Sequence, residues 1–234
     1  MTTAEGWTAS VRDRLAPGRL LPLGAPEDGA WITERAARTV LDGAAAAVRG
    51  VVPGELRIGP DTEAGADAGA GAGAEPGAAF PVPPGALPPG ALRISAGFGA
   101  VAGRALPELA AELRTALLGA AEDGLGLVVA AVDLRVTELL DAAPEKSGPA
   151  APPPGRTSPA TDDPAALAVL RVDGVAGVTD TLGPPVHRAS GRVRVELAVT
   201  AGRRPLDVAR AARNAVTAAA GEATAVTVLV SELR

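Results

Sequence analysis

Residues 192–216 read RVRVELAVTAGRRPLDVARAARNAV, and residues 93–117, an offset of 99, read RISAGFGAVAGRALPELAAELRTAL. In the later stretch Val193, Val195, Leu197 and Val199 alternate with Arg192, Arg194, Glu196 and Ala198; in the earlier one Leu92, Ile94 and Ala96 alternate with Arg93 and Ser95. Period two with one polar face predicts a half-buried strand. Each strand is followed by Ala-Gly-Arg, at 102–104 and 201–203, and then by Pro107 or Pro205. A proline suits the first turn of a helix, where a missing amide proton costs nothing. Leu109, Ala110, Leu113, Ala116 and Leu117 match Val208, Ala209, Ala212, Ala215 and Val216 at the same offset, and that spacing makes one helical face.

Outward from this pair, each helix leads into a closing strand. Val128, Ala130, Val132, Leu134 and Val136 are expected on the buried face of the first, and Val226, Val228 and Val230 on that of the second. Upstream, Thr33 caps a helix running to about Val48, and Asp163-Pro164 is a cap followed by a first-turn proline. These helices end in Val48-Arg49-Gly50-Val51 and Val172-Asp173-Gly174-Val175. The expected fold class is therefore α+β, with two small tandem modules, each helix-strand-strand-helix-strand.

The expected domains are an arm at 1–29, a first module at 30–140, a linker at 141–161 and a second module at 162–234. Within the arm, Trp7, Val11 and Leu15 mark a short amphipathic helix. The stretch 60–91 is dominated by Gly, Ala and Pro and carries Asp61, Glu63, Asp67 and Glu75; it buries too little to offset its ordering entropy and is expected as a disordered acidic insert in the first module. The run APEKSGPAAPPPGRTSPAT within 141–161 has the proline density of an extended spacer. Both modules are near the size at which a lone core is marginal, so each is expected to lean on the other.

Composition excludes several chemistries. The 234 residues include no cysteine and one histidine, His187, which removes disulfides, thiolate sites and a histidine cage within one chain. The single lysine, Lys146, lies in the linker, so a Walker loop is excluded. Gly97, Gly99 and Gly103 lie between a strand and a helix but with the wrong spacing for a dinucleotide fingerprint. His187, Ser190 and Asp180 allow a triad on paper, yet Leu182-Gly-Pro-Pro-Val-His reads as an ordinary turn into a strand. No catalytic, cofactor-binding or metal-ligating residue is assigned, no cofactor is expected, and the chain is not expected to be an enzyme.

Net charge is −5, but seven arginines lie between Arg188 and Arg213 against Glu196 and Asp207. That cluster defines an alternative reading, a binder of nucleic acid or of an anionic membrane surface. Tyrosine is absent and Phe80 and Phe98 are the only phenylalanines, so base-stacking side chains are scarce and nucleic acid is the less favoured partner. The N-terminus lacks the basic and apolar regions of a signal peptide, and Leu125–Val132 is too short to span a bilayer. A cytoplasmic location is expected, with membrane contact at most indirect.

The helix ending in Val-x-Gly-Val, the valine-rich strand 193–199, the run Pro205-Leu-Asp-Val-Ala-Arg-Ala-Ala-Arg-Asn-Ala-Val216 and the strand 225–232 together resemble the alkaline shock protein family of Gram-positive envelope stress proteins. Residues 31–51 and 92–136 match the same pattern less closely. With its arginine-rich, lysine-poor composition, the chain looks like an actinobacterial tandem variant. The resemblance implies small cytoplasmic α+β modules without known catalysis that self-assemble and reach the membrane through partner proteins. No functional residue is carried over. The expected function is that of a structural or adaptor protein of an envelope stress response, working by self-association or protein contacts. The closing strand 225–232 is its expected association surface, provided it lies at a sheet edge.

Overall fold

A computed structural model describes residues 17–61, 80, 82–142, 161–189, 191–220 and 225–234. In chain order its elements are β1 (Leu20–Leu23), β2 (Ala30–Thr33), α1 (Glu34–Ala47), β3 (Val51–Pro60), β4 (Leu92–Val101), α2 (Leu106–Gly119), β5 (Val129–Leu140), α3 (Pro164–Val169), β6 (Val175–Val178), β7 (Val186–Ala189), β8 (Arg192–Val199), α4 (Pro205–Ala220) and β9 (Ala225–Leu233). A π-helical turn, Ala120–Leu125, continues α2. The fold is mixed α+β. The start signals work as the sequence predicts: Thr33 Oγ1 accepts the Ala36 amide at 3.3 Å, and Asp163 Oδ1 accepts the Ala165 amide at 2.8 Å.

The strands form two sheets, β1-β2-β9-β8-β6 with β7 also on β8, and β3-β4-β5. In the smaller sheet β3 is antiparallel and β5 parallel to β4; in the larger, β6 is antiparallel and β9 parallel to β8. Local geometry recurs as well. Gly50 and Gly174 have φ of 88° and 87°, a left-handed turn that glycine adopts without steric cost. Behind them the Val101 amide donates to the Gly50 carbonyl at 2.9 Å, and the Thr200 amide donates to the Gly174 carbonyl at 2.8 Å.

One apolar cluster joins the two halves, with Ile58, Ile94, Phe98 and Leu113 in the same core as Val195, Leu197, Val216 and Val228. Helix α1 touches β3 on one side and β2 and β9 on the other. The turn after α2 seals the junction: the Gly24 amide donates to the Gly126 carbonyl at 2.8 Å, and a side chain at Gly126 would collide with Leu206 of α4.

Four expectations change. The boundary at residue 30 fails because β1 and β2 form a hairpin that joins the second block's sheet, β2 lying parallel to β9 through Ala30↔Val228, Trp31↔Leu229 and Ile32↔Val230. Part of 17–29 is thus sheet and turn, not arm. The same pairing means that strand 225–232 is not an edge, since β8 flanks its other side.

In β5 only Val132 is buried, while Val136 is 38% exposed and Val128, just before the strand, 47%, because β5 is the outermost strand of its sheet among the described residues and the core reaches only part of its length. Finally, the downstream end of 60–91 has fixed contacts: the Leu87 amide donates to Leu20 O at 2.8 Å, and Trp31 Nε1 donates to Leu87 O at 3.3 Å. Phe80, Ala86 and Leu182 cover Leu20, Trp31 and Leu229, so a few apolar side chains anchor a segment whose composition suggested disorder. β7 is a further strand in the second block. The expected helix at Trp7, Val11 and Leu15, residues 62–79 of the insert and most of the linker lie outside the described residues.

Candidate functional site

The two parallel closing strands have opposite exposure. β9 is held between β8 and β2, with its side chains buried from Val226 to Ser231. β5, twelve residues long, pairs only with β4 among the described residues. Its free edge carries Asp133, Arg135 and Glu138 beside Val136 and Leu139, and Leu139 is 70% exposed. Long exposed edges present unpaired backbone donors and acceptors and invite another strand.

What covers β9 is a charge-clamped hairpin. Asp28, 8% exposed in the turn between β1 and β2, accepts the Ala25 amide at 2.8 Å and takes Arg210 Nε and Nη2 at 2.8 and 2.9 Å. Burial opposes ionisation of Asp28, but the Arg210 bond, the Ala25 amide and the charges of Arg210 and Arg213 outweigh it and hold the carboxyl below its ordinary value. Arg213 donates to Glu27 O and stacks over Phe80 with 5.0 Å to the ring centroid. No corresponding hairpin flanks β5 among the described residues.

The arginine cluster divides. Arg188 pairs with Asp163, Arg203 with Asp173, Arg204 with Asp207, Arg210 with Asp28, and Arg213 is engaged as above. Five of the seven thus have acceptors spread over separate parts of the surface. The side chains of Arg192 and Arg194 form no hydrogen bond or ion pair among the described residues.

His187 is exposed on β7 opposite Arg194, and no hydrogen bond joins it to Asp180 among the described residues. Ser190 lies outside them. Among the described residues no group of three His, Cys, Asp or Glu side chains could hold a metal ion, and no helix is long and apolar enough to cross a membrane.

The sequence reading misses a buried polar network on the larger sheet. Glu196, 2% exposed, accepts Thr179 Oγ1 at 2.8 Å and the amides of Thr181 and Leu182 at 2.9 and 3.0 Å. Thr179 Oγ1 lies 2.6 Å from Ser231 Oγ. Burial pushes the Glu196 carboxyl above its ordinary value despite these bonds. The network fastens the 179–182 turn to β8 and β9, and its signal in the sequence is only a glutamate at a polar strand position. Compared with known protein families, with curated proteins and with solved structures, the chain has no match in any of the three.

Proposed function

We propose that this protein is a non-enzymatic structural or adaptor protein of the alkaline shock type, cytoplasmic and linked to the cell envelope, built from two tandem copies of one α+β module. The repeated strand order and the matching turns at Gly50 and Gly174 support the duplication. The observation that carries the functional reading is the contrast between β9, covered by β2, and β5, whose outer edge is unpaired among the described residues.

The occupant we assign to that edge is β5 of a second copy. β5 is self-complementary when two copies run antiparallel about Leu134: Asp133 then faces Arg135 of the other chain, Val132 faces Val136 and Val129 faces Leu139. Opposite charges and aliphatic pairs directly across strands are each worth about 0.2 to 1 kcal/mol, and a two-fold axis makes every such pair count twice. Asp133 also accepts Arg93 of β4 at 2.9 Å, so in the dimer its carboxylate is shared between that guanidinium and Arg135 of the second copy.

Sedimentation equilibrium tests this. The 23.0 kDa chain should sediment as a dimer. Arg135→Asp and Asp133→Arg should each be monomeric, since either places like charges across the axis, while an equimolar mixture of the two should dimerise because each repulsion becomes a pair. Arg93 keeps Asp61 at 3.0 Å in the second variant. A monomeric wild type, or variants that dimerise alone, would overturn the assignment.

A further inference from the structure

Arg192 and Arg194, whose side chains have no acceptor among the described residues, share one groove. It holds about 220 Å³ and is lined by His187, Arg192, Arg194 and Thr227, with Val82, Pro83 and Pro84 along one wall. Strand register explains the grouping: His187 on β7 is opposite Arg194 on β8, and Arg194 is opposite Thr227 on β9. Neighbouring strands are roughly 4.8 Å apart, so an imidazole, a guanidinium and a hydroxyl stand in one row across the sheet. Arg192 projects from the same face two residues along β8. We infer that this groove binds a small ligand carrying a phosphate group.

The charge balance supports a ligand there. Among the described residues no Asp or Glu lines the groove. Glu196, next on the same face of β8, has its oxygens occupied by Thr179, Thr181 and Leu182. Like charges on neighbouring positions of one sheet face repel each other and an anion between them relieves this, and elsewhere in this cluster the fold supplies one to Arg188, Arg203, Arg204 and Arg210. Two guanidiniums match the double charge of a phosphomonoester, and their forked donors suit its oxygens.

The wall is built, not loose. The Ala86 amide closes a turn on Pro83 O at 3.0 Å, the Leu20 amide donates to Gly85 O at 3.3 Å, and Trp31 Nε1 holds Leu87 O. Val82 and the two prolines therefore offer a fixed apolar surface to the organic part of the ligand. The volume suits a phosphate on a small ring or short chain.

Because His187 is the only histidine, its ring protons are a unique NMR reporter inside the groove. The full chain is titrated with phenyl phosphate, with inorganic phosphate, and with sodium chloride at matched ionic strength. We expect a saturable shift of the His187 resonances with phenyl phosphate, weaker binding of inorganic phosphate, and no saturation with chloride. Arg192→Gln/Arg194→Gln should weaken phenyl phosphate binding at least tenfold, with the remaining spectrum unchanged. Arg203→Gln, which alters a paired arginine of the same cluster, should leave the affinity intact. Shifts that merely follow ionic strength, an unaffected double variant, or saturation seen only with a long polyanion such as heparin would each overturn the proposal.

Discussion

Asp28 and Glu196 are both buried carboxylates, and their surroundings push them in opposite directions. Glu196 has its proton affinity raised by burial, which exceeds the effect of its hydrogen bonds from Thr179, Leu182 and Thr181. Between its ordinary value of 4.5 and the raised value, the folded chain binds more protons than the unfolded one. Stability therefore falls as pH rises through that window. For Asp28, burial is outweighed by Arg210 and the Ala25 amide; below the ordinary 3.8 the unfolded chain takes up the proton first, so this contribution is lost as pH falls.

Urea unfolding from pH 7 to pH 3 should show stability rising on mild acidification and falling again in stronger acid. Glu196→Gln should remove the rise, and Asp28→Asn should reduce the fall. Profiles parallel to wild type in both variants would show that neither carboxylate drives the pH dependence. Glu196→Gln should also cost about 1 to 3 kcal/mol at pH 7, because an amide NH2 replaces one of the oxygens that accept the Thr181 and Leu182 amides.

At the scale of elements, the turn after α2 is the piece that fits the two halves together. Gly126 has φ of 92° and lies against Leu206. Gly126→Ala combines left-handed strain with overpacking and should destabilise the fold by roughly 2 to 4 kcal/mol, measured by chemical denaturation. Gly103→Ala, with φ of 102° but open space around it, carries the strain alone and should cost less. Equal losses would place the cost in backbone strain and remove the Leu206 contact from the account.

That turn also shows where sequence reading stops. Helices α2 and α4 align at the offset of 99 because their buried residues, Leu109, Leu113 and Leu117 against Val208, Ala212 and Val216, repeat on one face. The closing strands then align at 94: β4 and β8 each shift register before Gly99 and Ala198, opposite Glu138 and Glu232. The stretch from helix to closing strand is thus five residues longer in the first block, and the π-helical turn Ala120–Leu125 lies within it. Alternation reports a strand's faces but not which residue it meets, and in an alanine-rich run several registers look alike. The β1–β2 hairpin was equally hidden, since its parallel partner β9 is nearly 200 residues away. Of the candidate surfaces, the arginines on the outer face of β8 were legible from period two. The edge of β5, unpaired among the described residues, was not, because an edge is defined by the whole sheet.

On the scale of the whole molecule, the shared core decides how the protein unfolds. α1 is wedged between the two sheets, the β1–β2 hairpin from one end of the chain completes the sheet of the other, and Arg210 locks that hairpin through Asp28. Neither half can open without exposing apolar surface of the other, so cooperative unfolding follows from the topology. Leu113, 1% exposed in the middle of α2, tests this from a site within the first half. Leu113→Ala leaves a cavity and should cost about 2 to 5 kcal/mol. Calorimetry should show a single transition in wild type and variant alike, moved down by several degrees, because a chain of this size loses roughly 2 to 4 °C per kcal/mol. Tryptophan emission in a Trp7→Phe background, which leaves Trp31 as the single emitter, gives an independent probe: Trp31 sits at 1% exposure in the larger sheet, remote in topology from the substituted helix. Its unfolding midpoint should move with the calorimetric one. Two transitions, with the Trp31 signal following the one that Leu113→Ala leaves in place, would show that the halves fold separately.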